Sequence, residues 1–380
     1  MRNALALGLV TLALGLAAPA RADGLADRLE RIFAHPDFAG AKVGVSIVSL
    51  ADGKTLWERD PGEPLSLASN TKLVTTAAAL DRLGPGYRFE TTLLRRGPVR
   101  VDTLAGDLVV RGGGDPCVAG RFDGEADGAL RRFARSLREM GVRKVSGDVV
   151  ADDRFLDREW QHPDWPKDQA DRWYEAPVCA LSLNDGCVDV SVAPGARAGA
   201  PALVTLAPAC SLVEVENACV TTAQRKEHVV DIGRRGGGNR IVVRGAILAG
   251  APPTVQSIGV TDPALLFAAV LKERLADEGI AVEGKARVVA ADEPAGELEP
   301  VAVHASLLAQ ALPVVNKRSQ THYAEQLRKV LGAAKGGEGS WKGGIAVEAA
   351  FLEQEVGLEK GSFSFLDGSG LARGNKVSAR

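Results

Sequence analysis

Residues 67–72 read Leu-Ala-Ser-Asn-Thr-Lys and lead into a stretch rich in alanine and leucine that ends at Gly84-Pro85-Gly86. This composition predicts a helix over residues 70–83, stopped by the glycines and proline. Ser69 and Lys72 are three residues apart, a spacing that puts two side chains on one face of a helix. A lysine amine beside a serine hydroxyl can take its proton and so activate a weak nucleophile. The helix start also favours a developing oxyanion.

Ser69 heads the only Ser-x-x-Lys sequence in the chain. About one such match is expected by chance in a chain of this length, given the usual abundance of serine and lysine. The alternative interpretation is therefore a serine that caps a helix N-terminus, followed by a solvated lysine. Position alone leaves both interpretations open.

A second polar stretch contains Ser319 and Thr321. In a Ser-x-Asn arrangement the hydroxyl relays a proton to the leaving amine and the amide binds the substrate backbone. Thr321 stands at the amide position, where it offers only a hydroxyl with a shorter reach. The alternative is that Ser319 caps a helix predicted over residues 320–331.

The first 22 residues are typical of a secretory signal peptide, with Arg2, an apolar run over 4–16 and a cleavage site at Ala20-Arg21-Ala22. The apolar run is shorter than the roughly 20 residues that span a bilayer. The mature chain is therefore predicted to start at Asp23, to be exported and to lack a transmembrane segment. A formal net charge of −2 with no basic stripe gives no support for nucleic-acid binding.

The five cysteines would lie in an oxidising compartment, where disulfides form. Their odd number leaves at least one thiol unpaired within a monomer. Cys210 and Cys219 are the favoured pair because they are close in sequence, and Cys179 with Cys187 is a second possibility. The histidines and cysteines show no metal-ligand spacing, so neither a metal nor another cofactor is predicted.

Helix-rich segments at both ends of the chain flank a β-rich middle from about residue 88 to 255. The two ends are predicted to fold together as one domain, with the middle inserted. Three tryptophans, Trp160, Trp165 and Trp173, are predicted either to anchor a core or to stack on sugars. Helices are predicted at 24–34, 70–83, 128–140, 262–278, 307–312, 320–331 and 344–356, and strands at 42–50, 54–59, 107–111, 144–151, 188–192, 240–247, 282–289 and 362–366.

Taken in order, these stretches resemble the low-molecular-mass penicillin-binding proteins of the D-alanyl-D-alanine carboxypeptidase/endopeptidase type (peptidase family S13, the DacB-like group). The resemblance runs from about residue 25 to the last residue. It implies an α/β (α+β) fold, in which a penicillin-binding/β-lactamase-like domain with an antiparallel sheet and helices carries inserted β-rich domains. The matching stretches are residues 67–72, 83–89, 113–116, 180–184, 262–264, 316–319, 323–325 and 367–371.

The resemblance also implies a division into domains. After a signal peptide over 1–22, a transpeptidase-like catalytic domain is expected to combine 23–87 and 300–380. Inserted domain II is expected over 88–175 and 250–299, and inserted β-rich domain III over 176–249.

The activity that the resemblance implies is serine-type cleavage of peptidoglycan stem peptides in the periplasm. Ser69 would attack the D-Ala-D-Ala peptide carbonyl, form an acyl-enzyme and release D-alanine. Lys72 would be the base, Ser319 would shuttle the proton, and Thr321 would bind substrate. β-Lactams would acylate the same serine because they mimic the D-Ala-D-Ala end.

The chain departs from the family pattern at two points. Thr321 stands where the family has asparagine, and no Lys-Thr-Gly motif follows the Asp-Gly-Ser-Gly sequence before Arg380. The catalytic domain is therefore predicted to be truncated at its C-terminus. Both departures favour a second hypothesis, a catalytically impaired homologue that acts as a wall-binding scaffold. A third, a β-lactamase-type hydrolase, is disfavoured by the long insertion between the first two motifs.

Overall fold

The computed structural model describes residues 24–380, so the predicted signal peptide lies outside the described residues. Within them the chain forms two compact units, residues 24–65 with 378–380, and residues 66–377. The helices are α1 (Leu25–Phe33), α2 (Thr71–Leu83), α3 (Gly120–Asp123), α4 (Gly128–Glu139), α5 (Pro263–Asp277), α6 (Leu308–Arg318), α7 (Thr321–Leu331) and α8 (Trp341–Phe351). The strands are β1 (Val45–Val48), β2 (Thr55–Arg59), β3 (Leu65–Ser66), β4 (Arg88–Arg96), β5 (Val99–Arg100), β6 (Thr103–Leu104), β7 (Asp107–Gly112), β8 (Lys144–Val145), β9 (Val149–Asp152), β10 (Cys187–Ala193), β11 (Leu203–Ala207), β12 (Glu214–Thr222), β13 (Val229–Arg235), β14 (Arg240–Leu248), β15 (Thr254–Gly259), β16 (Ala281–Val282), β17 (Ala286–Val288), β18 (Glu299–Leu307) and β19 (Lys376–Val377).

The smaller unit combines α1 with the antiparallel pair β1–β2, which confirms the hairpin predicted from its Asp-Gly turn. Gly53 adopts a φ of 72° at that turn, a conformation that glycine reaches without strain. Trp57 is the most buried side chain of this unit; its ring stacks on Phe33 with centroids 5.3 Å apart. The indole Nε1 of Trp57 donates a hydrogen bond to Glu30 at 3.0 Å, so the polar group of the ring has a partner while its apolar face packs on Phe33.

The larger unit contains a five-stranded mixed sheet in the order β17-β9-β7-β4-β18. The first three strands run parallel to one another, and β4 runs antiparallel to both of its neighbours, β7 and β18. Helices α4 and α5 pack on this sheet because their apolar faces meet buried strand residues such as Leu93 and Val110. Phe133 of α4 and Leu271 of α5 complete this core.

The β-rich middle predicted from sequence is confirmed as two three-stranded sheets, β11-β10-β15 and β12-β14-β13. Strands predicted at 188–192 and 240–247 form the central members β10 and β14. A further four-stranded sheet, β16-β8-β6-β5, consists of two-residue strands. The proposed boundaries of domains II and III stay a prediction.

Three of the predicted strands are wrong in extent. The run 144–151 is divided into β8 and β9, and the run 282–289 is divided into β16 and β17. Both interruptions meet at Asp148. Its amide donates to the Asp107 side chain (Oδ1, 2.8 Å) and not to a strand carbonyl, and its carboxylate accepts from the Lys285 amide at 2.9 Å. These side-chain contacts replace ladder hydrogen bonds and break both strands. The run 362–366 forms only an isolated bridge from Ser364 to Lys376.

A helical layer of α2, α6, α7 and α8 forms the second large core, in which every residue of α7 is buried. The helix predicted over 307–312 extends to Arg318, so the predicted end before Pro313 is wrong. Pro313 removes one hydrogen bond, and burial of Val314 and Val315 beyond it offsets that loss. As a result, Ser319 follows the end of α6 and does not cap α7; Gln320 holds that position.

The predicted disulfides are wrong: all five cysteines are free thiols and all five are buried. Cys179, Cys210 and Cys219 pack in the large core as small apolar side chains. Proximity in sequence does not supply the geometry of the two Cβ atoms that a disulfide requires. Over residues 24–380, no helix is long and apolar enough to span a membrane.

Candidate active site

Ser69 lies in a single 3₁₀ turn, Ala68–Asn70, that leads directly into α2. The serine is exposed, whereas Lys72 in the first turn of α2 is buried. Lys72 Nζ lies 3.3 Å from Ser69 Oγ, within hydrogen-bonding distance. The structure thus brings together the two side chains that the three-residue spacing predicts to meet.

Burial lowers the pKa of Lys72 below its usual value, and the Glu325 and Asp367 carboxyl groups oppose that shift. Desolvation disfavours the charged ammonium, which makes the neutral amine more accessible than in an exposed lysine. Lys72 Nζ also lies 2.9 Å from the carbonyl oxygen of Ser369, to which it donates. The amine is therefore fixed between the Ser69 hydroxyl and a backbone carbonyl from a distant part of the chain.

That carbonyl belongs to the loop 367–371, the Asp-Gly-Ser-Gly-Leu stretch noted in the sequence. The carboxylate of Asp367 is fully buried and accepts four hydrogen bonds that fold the loop around it. The four donors are Trp165 Nε1 at 2.9 Å, Gly370 N at 2.7 Å, Ala372 N at 2.6 Å and Asn375 Nδ2 at 2.7 Å. Thr75 Oγ1 of α2 donates to the Gly368 carbonyl at 2.9 Å, so the loop is also attached to the helix that carries Lys72.

Glu325 of α7 is fully buried and binds the same loop. Its Oε2 accepts from the Gly368 amide at 2.9 Å and from Trp341 Nε1 at 2.8 Å. Burial, reinforced by the charge of Asp367, raises the pKa of Glu325 to about 7. Sequence analysis included Glu325 only as the last residue of the family-like stretch Tyr-Ala-Glu at 323–325 and predicted no role for it.

Gly370 lies directly against the turn that carries Ser69. A Cβ atom on Gly370 would lie 1.8 Å from the Ala68 carbonyl oxygen and 2.8 Å from Thr71 Oγ1, and its φ is 82°. We expect Gly370→Ala to displace the 367–371 loop from Lys72. If penicillin acylates Ser69, as the family resemblance implies, that acylation should be about 10- to 100-fold slower in the variant, because small displacements of reacting groups are costly. The acylation rate measured with a fluorescent penicillin tests this.

Gly361→Ala is the matched control for that substitution. Gly361 has a similar positive φ of 87°, but nothing lies within 4 Å of its added Cβ. It carries the same backbone strain without the contact to the Ser69 turn. Equal losses in the two variants would show that strain, and not displacement of the loop, lowers the rate.

Ser319 and Thr321 lie at the junction of α6 and α7. Ser319 is half-buried with a positive φ of 54°, and Thr321 is the buried first residue of α7. Within residues 24–380 neither hydroxyl forms a hydrogen bond with Ser69 or Lys72. Helix α6 nevertheless contacts α2, the helix that carries Lys72, because Asn316 Nδ2 of α6 donates to Thr76 Oγ1 of α2 at 3.1 Å.

A buried polar network supports the junction between α6 and α7. Gln320 Nε2 donates to Asp185 Oδ2 at 2.7 Å, and Arg121 pairs with the same carboxylate. The Arg121 guanidinium lies 5.3 Å from the centroid of the Tyr323 ring. This network links Asp185, which directly follows the 180–184 stretch, to Gln320, which directly follows Ser319.

Two of the three tryptophans have the predicted role of core anchors. Trp165 is buried, contacts the rings of His162 and Trp341, and donates to Asp367, so it is a structural anchor of the 367–371 loop. Trp160 packs partly buried against the large core. Trp173 is 41% exposed, and its stacking on sugars stays a prediction.

Comparison with known proteins identifies the family. Residues 25–380 match the family described as D-Ala-D-Ala carboxypeptidase 3 (S13). The chain belongs to this family. It is 34% identical to the D-alanyl-D-alanine carboxypeptidase of Actinomadura sp. (strain R39), over 97% of this chain and 68% of the relative. It is 24% identical to the D-alanyl-D-alanine carboxypeptidase DacB of Haemophilus influenzae, over 90% of this chain and 69% of the relative.

The family fold is also found in a solved structure. Penicillin-binding protein 4 from Haemophilus influenzae superimposes with a TM-score of 0.72 at 23% identity, covering 88% of this chain and 72% of that one. This likeness confirms the mixed α/β fold class that the motifs predict. In residues 24–380 of this S13 family member, no group of three His, Cys, Asp or Glu side chains could hold a metal ion.

Proposed function

We propose that the chain is a serine-type D-Ala-D-Ala carboxypeptidase/endopeptidase that acts on peptidoglycan stem peptides through an acyl-enzyme. The observation that carries this proposal is the 3.3 Å distance between the exposed Ser69 Oγ and the Nζ of the buried Lys72. Burial lowers the pKa of that lysine, as a general base requires. Membership of the D-Ala-D-Ala carboxypeptidase family supports the substrate class.

The first half-reaction forms an ester on Ser69. Ser69 Oγ attacks the carbonyl carbon of the D-Ala-D-Ala peptide bond, and its proton passes to neutral Lys72 Nζ. The tetrahedral intermediate collapses, the C–N bond breaks, and the leaving amine of D-alanine takes up the proton. Ser319 is the proposed relay for that proton, and the Thr321 hydroxyl is proposed to bind the substrate backbone.

The second half-reaction restores the enzyme. A water molecule attacks the ester carbonyl and gives up a proton to neutral Lys72. The bond between the acyl carbon and Ser69 Oγ then breaks, Lys72 returns the proton to Ser69 Oγ, and the shortened peptide is released. Attack on a cross-link between two stem peptides follows the same steps and gives endopeptidase activity. Because the substrate lies in the wall, we also propose an exported, periplasmic location, in line with the signal-like first 22 residues.

β-Lactams are the proposed covalent inhibitors of the same serine. Penicillin-binding protein 4 from Haemophilus influenzae has been solved in complex with a β-lactam, and that structure superimposes on this chain with a TM-score of 0.67. Opening of the lactam ring by Ser69 would leave an ester of the same kind as the peptide acyl-enzyme. Labelling with a fluorescent penicillin therefore reports on the proposed chemistry directly.

The proposal is tested by labelling the purified wild-type protein and Ser69→Ala with a fluorescent penicillin. We expect covalent label on the wild type and none on Ser69→Ala, because only the serine oxygen forms the ester. Mass spectrometry of the labelled peptide should place the adduct on Ser69. Circular dichroism confirms that both proteins are folded.

A folded wild-type protein that takes no label would contradict the enzyme proposal. The second candidate, a catalytically impaired homologue that binds the wall as a scaffold, would then be favoured. Thr321 is the residue that supports it, because threonine lacks the amide that the family uses at this position. Rapid hydrolysis of the penicillin without stable label would indicate a β-lactamase-type hydrolase.

A further inference from the structure

A continuous series of contacts connects the buried Glu325 to Ser69. Glu325 Oε2 accepts from the Gly368 amide at 2.9 Å. The carbonyl of the next residue, Ser369, accepts from Lys72 Nζ at 2.9 Å, and Lys72 Nζ lies 3.3 Å from Ser69 Oγ. One peptide unit, Gly368–Ser369, therefore separates the amide that Glu325 holds from the carbonyl that orients the proposed base.

The geometry points to Glu325 as a positioning residue, which fixes the Gly368 amide so that the Ser369 carbonyl keeps the Lys72 amine aligned with Ser69. The kinetic consequence of this role rests on the proposed function of Lys72 as the base. The structural consequence, a fixed 367–371 loop, does not depend on catalysis.

Two features suit Glu325 to this role. Its Oε2 accepts from two donors on separate elements, the Gly368 amide of the loop and the Trp341 indole at the start of α8. The side chain is fully buried, so no solvent molecule can take over these hydrogen bonds when it is removed. Loss of the carboxyl group would leave both donors unpaired and release the loop from α7.

A second set of contacts holds other parts of the 367–371 loop and leaves the Gly368 amide to Glu325. Thr75 Oγ1 binds the Gly368 carbonyl at 2.9 Å, and Asp367 is held by its own four donors. These contacts hold the Gly368 carbonyl and the Asp367 side chain, whereas the Gly368 amide is held by Glu325. If Glu325 releases the Gly368 amide, the hydrogen bond from Thr75 is left to hold the Gly368 backbone, and rotation there would move the carbonyl of the next residue, Ser369, away from Lys72.

Two substitutions separate positioning from charge. Glu325→Gln keeps one side-chain oxygen that can accept from Gly368 and Trp341, and removes the negative charge. Glu325→Leu has a similar size and accepts neither hydrogen bond. We expect Glu325→Gln to acylate with penicillin within about threefold of wild type, and Glu325→Leu to be slower by about 10- to 100-fold.

Hydrogen exchange provides the readout that is independent of catalysis. In Glu325→Leu the amide of Gly368 should exchange faster than in wild type, while in Glu325→Gln it should stay protected. Leu327→Ala, a buried change on the same helix outside this contact series, controls for general loosening of α7. It should lower the melting temperature and leave the acylation rate of the folded protein unchanged.

Trp341→Phe keeps the test decisive if Glu325→Leu fails to fold. It removes one of the two donors to Glu325 Oε2 while an aromatic ring remains, so faster exchange at Gly368 and slower acylation are expected. Wild-type values of both in a folded Trp341→Phe or Glu325→Leu protein would overturn the inference. Equal loss of acylation in Glu325→Gln and Glu325→Leu would overturn it too, because charge would then be the cause.

Failure of the proposed function gives a different result. If wild-type protein takes no penicillin label, the acylation chemistry is absent, and the exchange rates alone decide the role of Glu325. A protected Gly368 amide in Glu325→Leu would then overturn the positioning role.

Discussion

Replacing Lys72 with methionine is expected to slow the acylation of Ser69 by penicillin about 10²- to 10⁴-fold, the usual contribution of a positioned general base. Methionine fills a similar volume in the buried site but cannot accept the Ser69 proton, so the hydroxyl must react without activation. The second-order rate constant for labelling, measured at pH 7, checks the expected loss. The melting temperature of Lys72→Met shows whether the fold is retained.

Lys72→Arg is the matched control because it retains the positive charge but cannot lose a proton in a protein. We expect it to be as slow as Lys72→Met. The wild-type rate should rise with pH, since the neutral amine is the reactive form, and should level off above the pKa of Lys72. Burial lowers that pKa from 10.5, against the opposing carboxyl groups of Glu325 and Asp367, so the midpoint should lie below 10.5. An arginine variant that acylates at the wild-type rate would contradict the role of Lys72.

The first motif could be predicted because its geometry is local. Ser69 and Lys72 are separated by less than one helical turn, and the 3₁₀ turn that carries Ser69 leads directly into α2, so neighbouring residues are enough to bring the two side chains together. The hairpin β1–β2 is local in the same way, with its turn encoded by Asp-Gly. These two predictions depend only on residues close together in sequence, and the structure agrees with both.

The rest of the site depends on contacts between distant residues. Lys72 and Ser369 lie 297 positions apart in sequence, and Trp165 and Asp367 lie 202 apart. No periodicity or spacing encodes such pairs. The prediction that a helix ends before Pro313 was wrong for a related reason. Helix α6 continues past Pro313 because tertiary burial of Val314 and Val315 outweighs the local signal to stop.

The buried cysteines also show that sequence alone does not predict which side chains come together. Their number and spacing indicated disulfides, but the choice between a thiol and a disulfide depends on the relative placement of two Cβ atoms. Glu325 was quoted within a family-like stretch, yet only the structure shows its contact with Gly368. A motif identifies the residue type, and the fold determines what that residue touches.

Replacing Glu348 with leucine is expected to lower the free energy of unfolding by about 3–5 kcal/mol, the typical effect of breaking a buried ion pair by removing one partner. Glu348 of α8 pairs with Arg328 of α7, and both side chains are almost completely buried. The two helices approach closely there, since a Cβ on Gly344 would lie 2.2 Å from the Arg328 carbonyl oxygen. Equilibrium denaturation in urea measures the loss.

The double variant Arg328→Met/Glu348→Leu separates the cost of an unpaired charge from the contribution of the pair. With both charges replaced by apolar side chains, no buried guanidinium is left without a partner, so the double variant should be more stable than Glu348→Leu alone. A double variant as unstable as the single one would mean that packing at the close approach of α7 and α8, and not the uncompensated charge, accounts for the loss. Since α7 also carries Glu325, a retained penicillin label in the double variant would show that the 367–371 loop tolerates an apolar contact between these helices.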